Sequence, residues 1–482
     1  MKRLLISRDA LDTRVAVLEE GVLSELYVER PGRVSRVGNI YKGRVQNVLA
    51  GMEAAFVDIG LGRNGYLPAD EIVDSRTQGG TKGRKITELL RSGAEVLVQI
   101  AREGVGGKGP RLTMRLSLAG RYVVYMPGDS VSGASRRLAD GERERLRALC
   151  RALKPADGGL IARTVADGAD EEAIARDLRF LQRVWSGAAR RAAAAQAPCL
   201  VYTEVELALR AVRDLSAVGV EGIIIDDAQL HRRVTNYLRA IAPGLAACVQ
   251  CYEGSEPLFV RYGLEGETRK ALSRRVELPS GGYLVIDPTE AMTVIDVNTG
   301  RYVGKRLLEE TTLKINLEAC REIVRQLRLR DIGGIIVIDF IDMDVESHRE
   351  AVLAALRLEL AADRTKTYVV ALSPLGLVEM TRQNTTAGLR EIMTCVCPTC
   401  RGEGRILSEQ SAAIEVERRL LRVVQESSLP GVRVEVHPHM AALLREGRPS
   451  RLQQIEGRSG HFVTLCTAGE GVPLDHLAVV PD

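Results

Sequence analysis

The sequence predicts an α+β protein of several domains, one of them a small β-barrel. The chain has 482 residues, which gives a prior of about three domains. With 45% hydrophobic and 27% charged residues, its composition is that of a globular protein and not of a disordered chain. Short strand and turn patterns follow one another from about 36 to 118, which is typical of a barrel. Helical and strand patterns share the rest.

The start of the chain and its cysteines favour a cytoplasmic protein. Residues 1–9 lack the apolar stretch and cleavage site of a signal peptide. No apolar run approaches the ~20 residues that are needed to span a bilayer. Nine cysteines scattered over a long chain favour reduced thiols. The net charge of +4 is too small to indicate a nucleic-acid partner, so such a partner must be argued from local groups.

The elements follow in order along the chain. The first 30 residues alternate as strands, and a helical period prevails from about 140 to 215. That helical region is interrupted by a strand that ends at Arg163 and Thr164. Beyond 279 a hairpin turns at Pro288, and a long helix over about 308–327 leads to a very apolar strand. A small αβ unit closes the chain.

Two aspartates end predicted strands in the C-terminal half. Asp296 lies two residues before Asn298 on the second hairpin strand, and Asp339 ends the apolar strand. Such apolar runs are typical of strands covered on both faces, where a carboxylate is partly desolvated. Two carboxylates on neighbouring strands repel each other unless a cation lies between them, and Mg²⁺ prefers such ligands. The alternative is that they cap turns or pair with arginines such as Arg301 or Arg328.

A cysteine knuckle, CPTCRGEG, begins at Cys397. With Cys400 it has the form of half a structural zinc site, which needs four ligands. The other two could come from Cys248 and Cys251, from Cys395 with a further group, or from the same motif in a second chain. Cys248 and Cys251 lack the proline and glycines of the knuckle, which favours plain thiols for that pair.

Residues of the predicted barrel could hold single-stranded nucleic acid. Phe56 and Tyr66 could stack on bases, with the cation of Lys108 nearby. The alternative is that Phe56 is a core residue, because it lies inside an apolar strand. Arg163 with the hydroxyl of Thr164 suits a terminal phosphate, although this pair alone is a weak signal.

Several reaction classes are excluded by missing motifs. The sequence has no GxxxxGK[ST] loop, which excludes P-loop nucleotide chemistry. It has no GxSxG nucleophile elbow. Its six histidines form no HExxH zinc motif.

Together these segments resemble the ribonuclease E/G family over essentially the whole chain. The matches keep the family's order and are too many to be accidental. The matching segments are 1–6, 39–43, 53–58, 65–68, 278–282, 295–300, 316–319, 325–331, 339–343 and 397–400.

The resemblance implies an α+β multidomain fold. An S1-type OB barrel is inserted in an RNase H-like fold and is followed by a DNase I-like αβ catalytic domain, a zinc link and a small αβ domain. Because the sequence ends without the disordered arm of the larger members, we expect the shorter type. The implied domains are RNase H-like at 1–35 and 215–278, S1 at 36–118, 5′-sensor at 119–214, catalytic at 279–396, zinc link at 397–415 and dimerisation at 416–482.

For catalysis and assembly, the resemblance implies metal ligands. Asp296 and Asp339 are expected to hold one catalytic Mg²⁺ per chain, with Asn298 supporting the site. Cys397 and Cys400 are expected to join the same pair of a neighbouring subunit around one structural Zn²⁺. This arrangement implies a homodimer, with pairing of dimers into a tetramer left open.

For RNA recognition, the resemblance implies two further sets of residues. Phe56, Tyr66 and Lys108 are expected to clamp RNA on the S1 barrel. Arg163 and Thr164 are expected to sense a 5′-monophosphate.

The implied activity is Mg²⁺-dependent endonucleolytic hydrolysis of single-stranded, A/U-rich RNA, stimulated by a 5′-monophosphate and leaving 5′-phosphate and 3′-hydroxyl ends. The implied roles are rRNA and tRNA processing and mRNA decay in the cytoplasm. A rival from another class is a non-catalytic RNA-binding protein with an S1 barrel on a zinc-linked oligomer. That rival has no use for the carboxylates of Asp296 and Asp339.

Overall fold

The structure is a computed structural model, and its described residues form two compact units, Met1–Ile392 and Met393–Asp482. The described ranges are 2–32, 34–73, 84–104, 108–215, 220–300, 308–373, 375–383, 388–427, 429–469 and 471–480.

The first 278 residues mix short strands with eight helices in the described ranges. The strands are β1 (Lys2–Arg8), β2 (Thr13–Glu19), β3 (Val22–Glu29), β4 (Ile40–Leu49), β5 (Ala54–Asp58), β6 (Gly65–Pro68), β7 (Glu95–Arg102), β8 (Arg111–Thr113), β9 (Leu118–Ala119), β10 (Val123–Pro127), β11 (Ser132–Ala134), β12 (Gly158–Ala162), β13 (Cys199–Tyr202), β14 (Val220–Ile225), β15 (Val249–Cys251) and β16 (Arg275–Glu277). The helices are α1 (Ile86–Leu89), α2 (Asp140–Leu153), α3 (Glu171–Ala194), α4 (Leu207–Asp214), α5 (Ala228–Ile241), α6 (Pro243–Ala246), α7 (Leu258–Arg261) and α8 (Leu264–Ala271).

The remaining elements complete the first unit and build the second. In the first unit they are β17 (Tyr283–Pro288), β18 (Met292–Asn298), α9 (Leu308–Leu329), β19 (Gly334–Asp339), α10 (Glu346–Ala361), β20 (Thr367–Leu372), β21 (Leu377–Arg382) and α11 (Leu389–Met393), the last of which ends at the boundary. In the second unit they are α12 (Glu409–Glu426), β22 (Gly431–Val436), α13 (Pro438–Arg445), α14 (Arg451–Ser459), β23 (Phe462–Thr467) and β24 (Leu477–Val479).

The N-terminal strands share a sheet with strands that follow much later in the sequence. The order is β15-β14-β1-β2-β3, and β1 runs parallel to β14. Apolar side chains of this sheet pack against α4 and α5, for example Ile6 and Ile225 against Leu230. The chain therefore leaves this sheet after β3 and returns to it at β14. The domain bounds 1–35 and 215–278 stay a prediction. The RNase H-like type of that domain stays a prediction.

A closed five-stranded barrel lies between the two halves of that sheet in the sequence. Its strands follow the order β4-β5-β6-β8-β7, and β7 closes the ring by pairing with β4. Val45, Val57, Leu67 and Leu112 fill the interior. The predicted small barrel is confirmed. The outer edge of β4 also pairs with β13, which ties the barrel to the segment that follows α3.

A second sheet, of order β11-β12-β10-β9, connects the barrel to the rest of the first unit. Leu146 of α2 and Leu181 of α3 share one apolar core with residues of β10 and β12, such as Tyr125 and Leu160. Because β12 ends at Ala162, this sheet brings Arg163 to its edge.

The third sheet carries the predicted catalytic residues. Its order is β16-β17-β18-β19-β21-β20, and α9 links the parallel strands β18 and β19. The core packs α9 and α10 on one face, with Ile295 and Ile338 among the buried residues. On the other face Ile335 is 48% exposed. The expectation that β19 is covered on both faces is therefore wrong for the described part of the chain, because both packing helices lie on the same side.

The second unit is a small αβ structure. Its three-stranded sheet has the order β23-β22-β24, and Val416 and Leu420 of α12 pack with Val434 in one core. Across the described ranges, none of the helices combines the length and apolar character that crossing a bilayer demands.

Candidate functional site

The two aspartates predicted from separate segments lie side by side on neighbouring strands. In the parallel register of β18 and β19, the Cα of Asp296 is paired with that of Asp339. Paired side chains on neighbouring strands project from the same face of a sheet. Asn298 Nδ2 donates a hydrogen bond of 2.9 Å to Asp296 Oδ2. The structure therefore brings all three predicted catalytic residues together on the open face of the third sheet.

Asp339 differs in its electrostatics from an ordinary surface aspartate. The pKa of Asp339 is raised above its ordinary value. Partial burial is the largest cause, and the negative charges of Asp296 and Asp342 add to it. Within the described residues, neither Asp296 nor Asp339 forms an ion pair with an arginine or lysine. Arg328, one alternative partner, binds Glu19 and Glu25 instead. Arg301, the other, lies outside the described residues.

A buried amide fixes the backbone that follows Asp339. Asn316 on α9 is fully buried, and its Nδ2 donates to the carbonyl of Ile341 at 2.9 Å. The Ile341 N–H donates in turn to Asn316 Oδ1 at 3.1 Å. This double hydrogen bond attaches the end of the catalytic strand to the helix beneath the sheet. Asn316 is therefore a positioning residue of the site.

The donor set of the aspartate pair fits Mg²⁺. This ion is bound in proteins by one or two carboxylates and keeps several waters for a phosphate substrate. A cation also offsets the burial and the neighbouring negative charges that together raise the pKa of Asp339. In the described portion of the chain, no group of three or more His, Cys, Asp or Glu side chains is arranged to hold a metal. The described residues therefore offer a metal site with two carboxylate ligands and not one with three or more protein ligands.

Phe56 and Tyr66 form an aromatic pair on the barrel surface. They lie directly opposite each other on β5 and β6, with ring centroids 6.0 Å apart in an edge-to-face arrangement. Both are half-buried, whereas the neighbours Ala55 and Val57 are fully buried. The alternative that Phe56 is a core residue is therefore wrong, since the pleat turns it to the outside.

The loop that carries Lys108 reaches the same part of the barrel. The Tyr66 N–H donates to the carbonyl of Pro110 at 2.8 Å, and the side chain of Lys108 is exposed. Gly109 approaches the Asn64 backbone so closely that a Cβ there would lie 1.9 Å from the Asn64 carbonyl oxygen. The backbone contact thus brings the segment that follows Lys108 against β6, the strand that carries Tyr66.

Arg163 and Thr164 stand at the end of β12, but Arg163 already has protein partners. Its Nη1 donates to the Gly120 carbonyl and to Asp214 Oδ1, the latter at 2.7 Å. The Thr164 hydroxyl lies 2.8 Å from the hydroxyl of Ser135. The predicted pair therefore forms a corner with two hydroxyls and a guanidinium that is held through its Nη1.

The cysteine knuckle has the backbone geometry of a thiolate-binding turn. The N–H groups of Cys400 and Thr399 and the Cys400 thiol lower the pKa of the Cys397 thiol below its ordinary value. The Arg401 N–H donates to the Cys397 carbonyl at 2.8 Å, and Gly402 follows with a φ of +95°, which favours glycine. The turn can present two thiolates to a metal.

Models of known protein families match three parts of this chain. A model described as the ribonuclease E/G family matches residues 117–385, which is more than half of the chain. The S1 RNA binding domain matches 35–115, and the RNase E/G thioredoxin-like domain matches 396–476. The chain belongs to the ribonuclease E/G family. The predicted enzyme class, an endoribonuclease, is thereby confirmed, and the S1 match indicates RNA binding.

Curated relatives of this ribonuclease E/G member cover nearly its whole length. Ribonuclease G of Salmonella typhimurium (strain SL1344) is 41% identical over 460 residues, which are 94% of each chain. Ribonuclease G of Haemophilus influenzae is 40% identical over 472 residues, 96% of each chain. Ribonuclease E of Escherichia coli (strain K12) is 38% identical over 492 residues, which cover all of this chain but 46% of that protein.

Three residues of the site were missed by sequence reasoning. Asn316 lies in a segment that carried the family resemblance, but nothing local reveals its contact with Ile341. Ser135 and Asp214 approach Arg163 and Thr164 from 29 and 51 residues away. Only the pairing of β11 with β12, which no short-range pattern reveals, brings Ser135 to this corner.

Proposed function

We propose that this endoribonuclease of the ribonuclease E/G family hydrolyses phosphodiester bonds in single-stranded, A/U-rich RNA with Mg²⁺ and leaves 5′-phosphate and 3′-hydroxyl ends. The single observation that supports this proposal most is the side-by-side placement of Asp296 and Asp339. Processing of rRNA and tRNA precursors and mRNA decay in the cytoplasm are the cellular roles that we propose for it.

The catalytic step is assigned to the open face of the third sheet. Asp296 and Asp339 would hold the Mg²⁺, which supplies Lewis acidity toward the scissile phosphate and lowers the pKa of an attacking water. Asn298 donates to Asp296, which fixes the carboxylate. Its amide oxygen would accept a hydrogen bond from the attacking water, or its second amide N–H would donate to a phosphate oxygen. Asn316 keeps the strand end in place through Ile341. In-line attack by water releases the 3′-hydroxyl, so the 2′-hydroxyl takes no part.

RNA binding is assigned to the barrel and to the corner at the end of β12. Phe56 and Tyr66 present ring faces and edges on which unpaired bases stack, and Lys108 adds a phosphate contact. The hydroxyls of Thr164 and Ser135 and the remaining N–H groups of Arg163 would donate hydrogen bonds to a 5′-monophosphate. This second contact stimulates cleavage because it raises the effective concentration of RNA that is already on the barrel.

Assembly is assigned to the knuckle. Cys397 and Cys400 supply two of the four thiolates that a structural zinc needs. We propose that the same pair of a second subunit supplies the others, which makes the protein a zinc-linked homodimer.

The decisive experiment measures cleavage of a 5′-monophosphorylated, A/U-rich oligonucleotide by the purified chain with and without Mg²⁺. Asp296→Asn and Asp339→Asn should each abolish cleavage while RNA binding persists. Glu350→Gln is the matched control, since Glu350 is an exposed carboxylate on α10, which packs on the opposite face of the same sheet, and it should keep activity. Mg²⁺-dependent turnover in either aspartate variant, or products with cyclic phosphate ends, would contradict the mechanism. Binding without cleavage by the unsubstituted chain would support the rival, an RNA-binding protein.

A further inference from the structure

The outer face of α3 carries three exposed arginines. Arg179, Arg183 and Arg190, here called the α3 arginine stripe, are exposed and spaced by four and seven residues, so they lie on one side of the helix. The opposite side, with Leu178 and Leu181, is buried in the core. With a rise of about 1.5 Å per residue, the stripe is ~16 Å long. Together with Gln182 and Ser186 it lines an open concavity of about 770 Å³.

The stripe has almost no compensating negative charge. From 178 to 194 the helix contains four arginines and no acidic residue. Arg179 binds Glu172 at 2.6 Å, but in the described part of the chain the side chains of Arg183 and Arg190 form no hydrogen bond or ion pair. A helix face that serves only to stay solvated usually mixes both signs of charge, because like charges along a helix repel one another.

The helix joins the two RNA-contacting regions that we propose. Its N-cap, Asp170, follows the corner at Thr164 by six residues. Just beyond its C-terminal end, the Ala195 carbonyl accepts a hydrogen bond of 2.8 Å from Lys42 Nζ on barrel strand β4. The stripe therefore lies on the element that connects the barrel with the phosphate corner, and this element is about 36 Å long.

We propose that the α3 arginine stripe is an additional RNA-binding surface, which contacts the phosphate backbone of a strand whose bases lie on the barrel. The chemistry suits this partner, since guanidinium groups donate to phosphate oxygens and recognise no base. The inference rests on the proposed function, because it assumes that the barrel holds RNA. An acidic protein is the competing partner for such a face. RNA is favoured because the same helix leads to both RNA-contacting regions.

The test compares RNA affinity of the full chain with that of an Arg183→Gln/Arg190→Gln variant. Glutamine keeps the helix propensity and removes only the charge. The matched control is Arg232→Gln/Arg239→Gln, which removes two exposed arginines with the same seven-residue spacing on α5. Fluorescence anisotropy is measured without added Mg²⁺, so that the RNA is not cleaved, and without a chelator, so that a bound zinc is kept. Oligonucleotides with a 5′-hydroxyl avoid the phosphate corner. One is about 6 nucleotides long and fits the barrel alone, and the other is about 24 nucleotides long.

For the 24-mer we expect the stripe variant to raise the Kd about tenfold at ~0.1 M salt and to reduce the slope of log K against log salt by about 1.4, two lost phosphate contacts at about 0.7 each. The Kd of the 6-mer for the stripe variant should change less than about twofold. The same holds for the Kd of the 24-mer for the control variant. Circular dichroism checks that both variants keep their helix content.

Three results would overturn the proposal. In the first, the 24-mer binds the stripe variant as tightly as it binds the unsubstituted chain. In the second, both oligonucleotides lose affinity equally, which indicates a general electrostatic effect of the lost charges and no contact with the stripe. Polyglutamate of matched charge could bind the unsubstituted chain as tightly as the 24-mer and show the same loss, which indicates an acidic protein partner. If the unsubstituted chain binds neither oligonucleotide, the proposed function itself fails. This outcome is distinguished from failure of the stripe proposal because it is measured without any substitution.

Discussion

Asn316 holds the backbone two residues after Asp339, and replacing it with alanine should loosen the catalytic strand. The side chain is fully buried and makes two hydrogen bonds to Ile341, at 2.9 and 3.1 Å. In Asn316→Ala the N–H and the carbonyl of Ile341 both lose their partner. A polar group that is left buried without a partner costs about 1–3 kcal/mol, so the free energy of opening this segment should fall by about 2–6 kcal/mol for the two groups.

Amide hydrogen exchange at Ile341 measures this change directly. Its protection should fall at least about thirtyfold, which corresponds to about 2 kcal/mol. RNA cleavage should fall with it, because the carboxylate of Asp339 loses its fixed position, while binding of RNA to the barrel stays unchanged. Asn236→Ala, the same change at an exposed position of α5, is the control and should alter neither quantity. Unchanged protection of Ile341, or full cleavage activity in Asn316→Ala, would refute the argument.

Other expected outcomes concern the barrel, the knuckle and the acid stability of the first unit. Phe56→Leu should weaken binding of a short RNA by about 5–100-fold, the worth of one lost stacking contact, whereas no change in Kd would show that bases do not stack there. Metal analysis should find about half a zinc per chain and none in Cys397→Ser, while about one zinc per chain would indicate a site within one chain. Burial opposes the charge of Glu19, but hydrogen bonds and charges from Arg328 and Lys2 outweigh it and lower its pKa to about 2. A lowered folded-state pKa stabilises above the ordinary value of 4.5, and this stability is lost as pH falls from there toward 2. Screening at this half-exposed site leaves about 1–2 kcal/mol, so urea unfolding of Glu19→Gln should depend less steeply on pH between about 5 and 2 than that of the unsubstituted chain.

The meeting of the two aspartates was accessible from sequence because of the element between them. A strand, a helix and a second strand in succession favour parallel neighbours in one sheet, and the helix was expected at 308–327, close to its observed span of Leu308–Leu329. What the pattern does not give is the register. A shift of one residue would have turned Asp339 to the buried face, and the observed pairing with Asp296 is a property of the whole sheet.

The burial of individual faces was less accessible. The apolar run before Asp339 indicated a strand covered on both sides, yet Ile335 is 48% exposed. Hydrophobic residues on both sides of a strand allow both faces of the sheet to be buried. Whether a second layer covers the other face depends on where the helices of other segments pack. At Phe56 the pattern misled in the opposite direction. Its apolar neighbours suggested a core position, whereas the alternation of side chains along β5 turns the ring outward.

The contacts of Arg163 bear on how a 5′ phosphate could act. Asp214, which holds Arg163, also binds Arg213 at 3.0 Å, and Arg213 in turn binds Glu204 at 2.6 Å. These four connected groups carry two positive and two negative charges, so this network adds no net charge with which to attract an anion. A phosphate gains instead from directed hydrogen bonds, which act only at short range. A site of this kind contributes little to the first encounter with RNA but adds to the affinity of a strand that is already bound through another contact. Stimulation by the 5′ phosphate, in the function proposed for this chain, therefore depends on the barrel holding the same RNA.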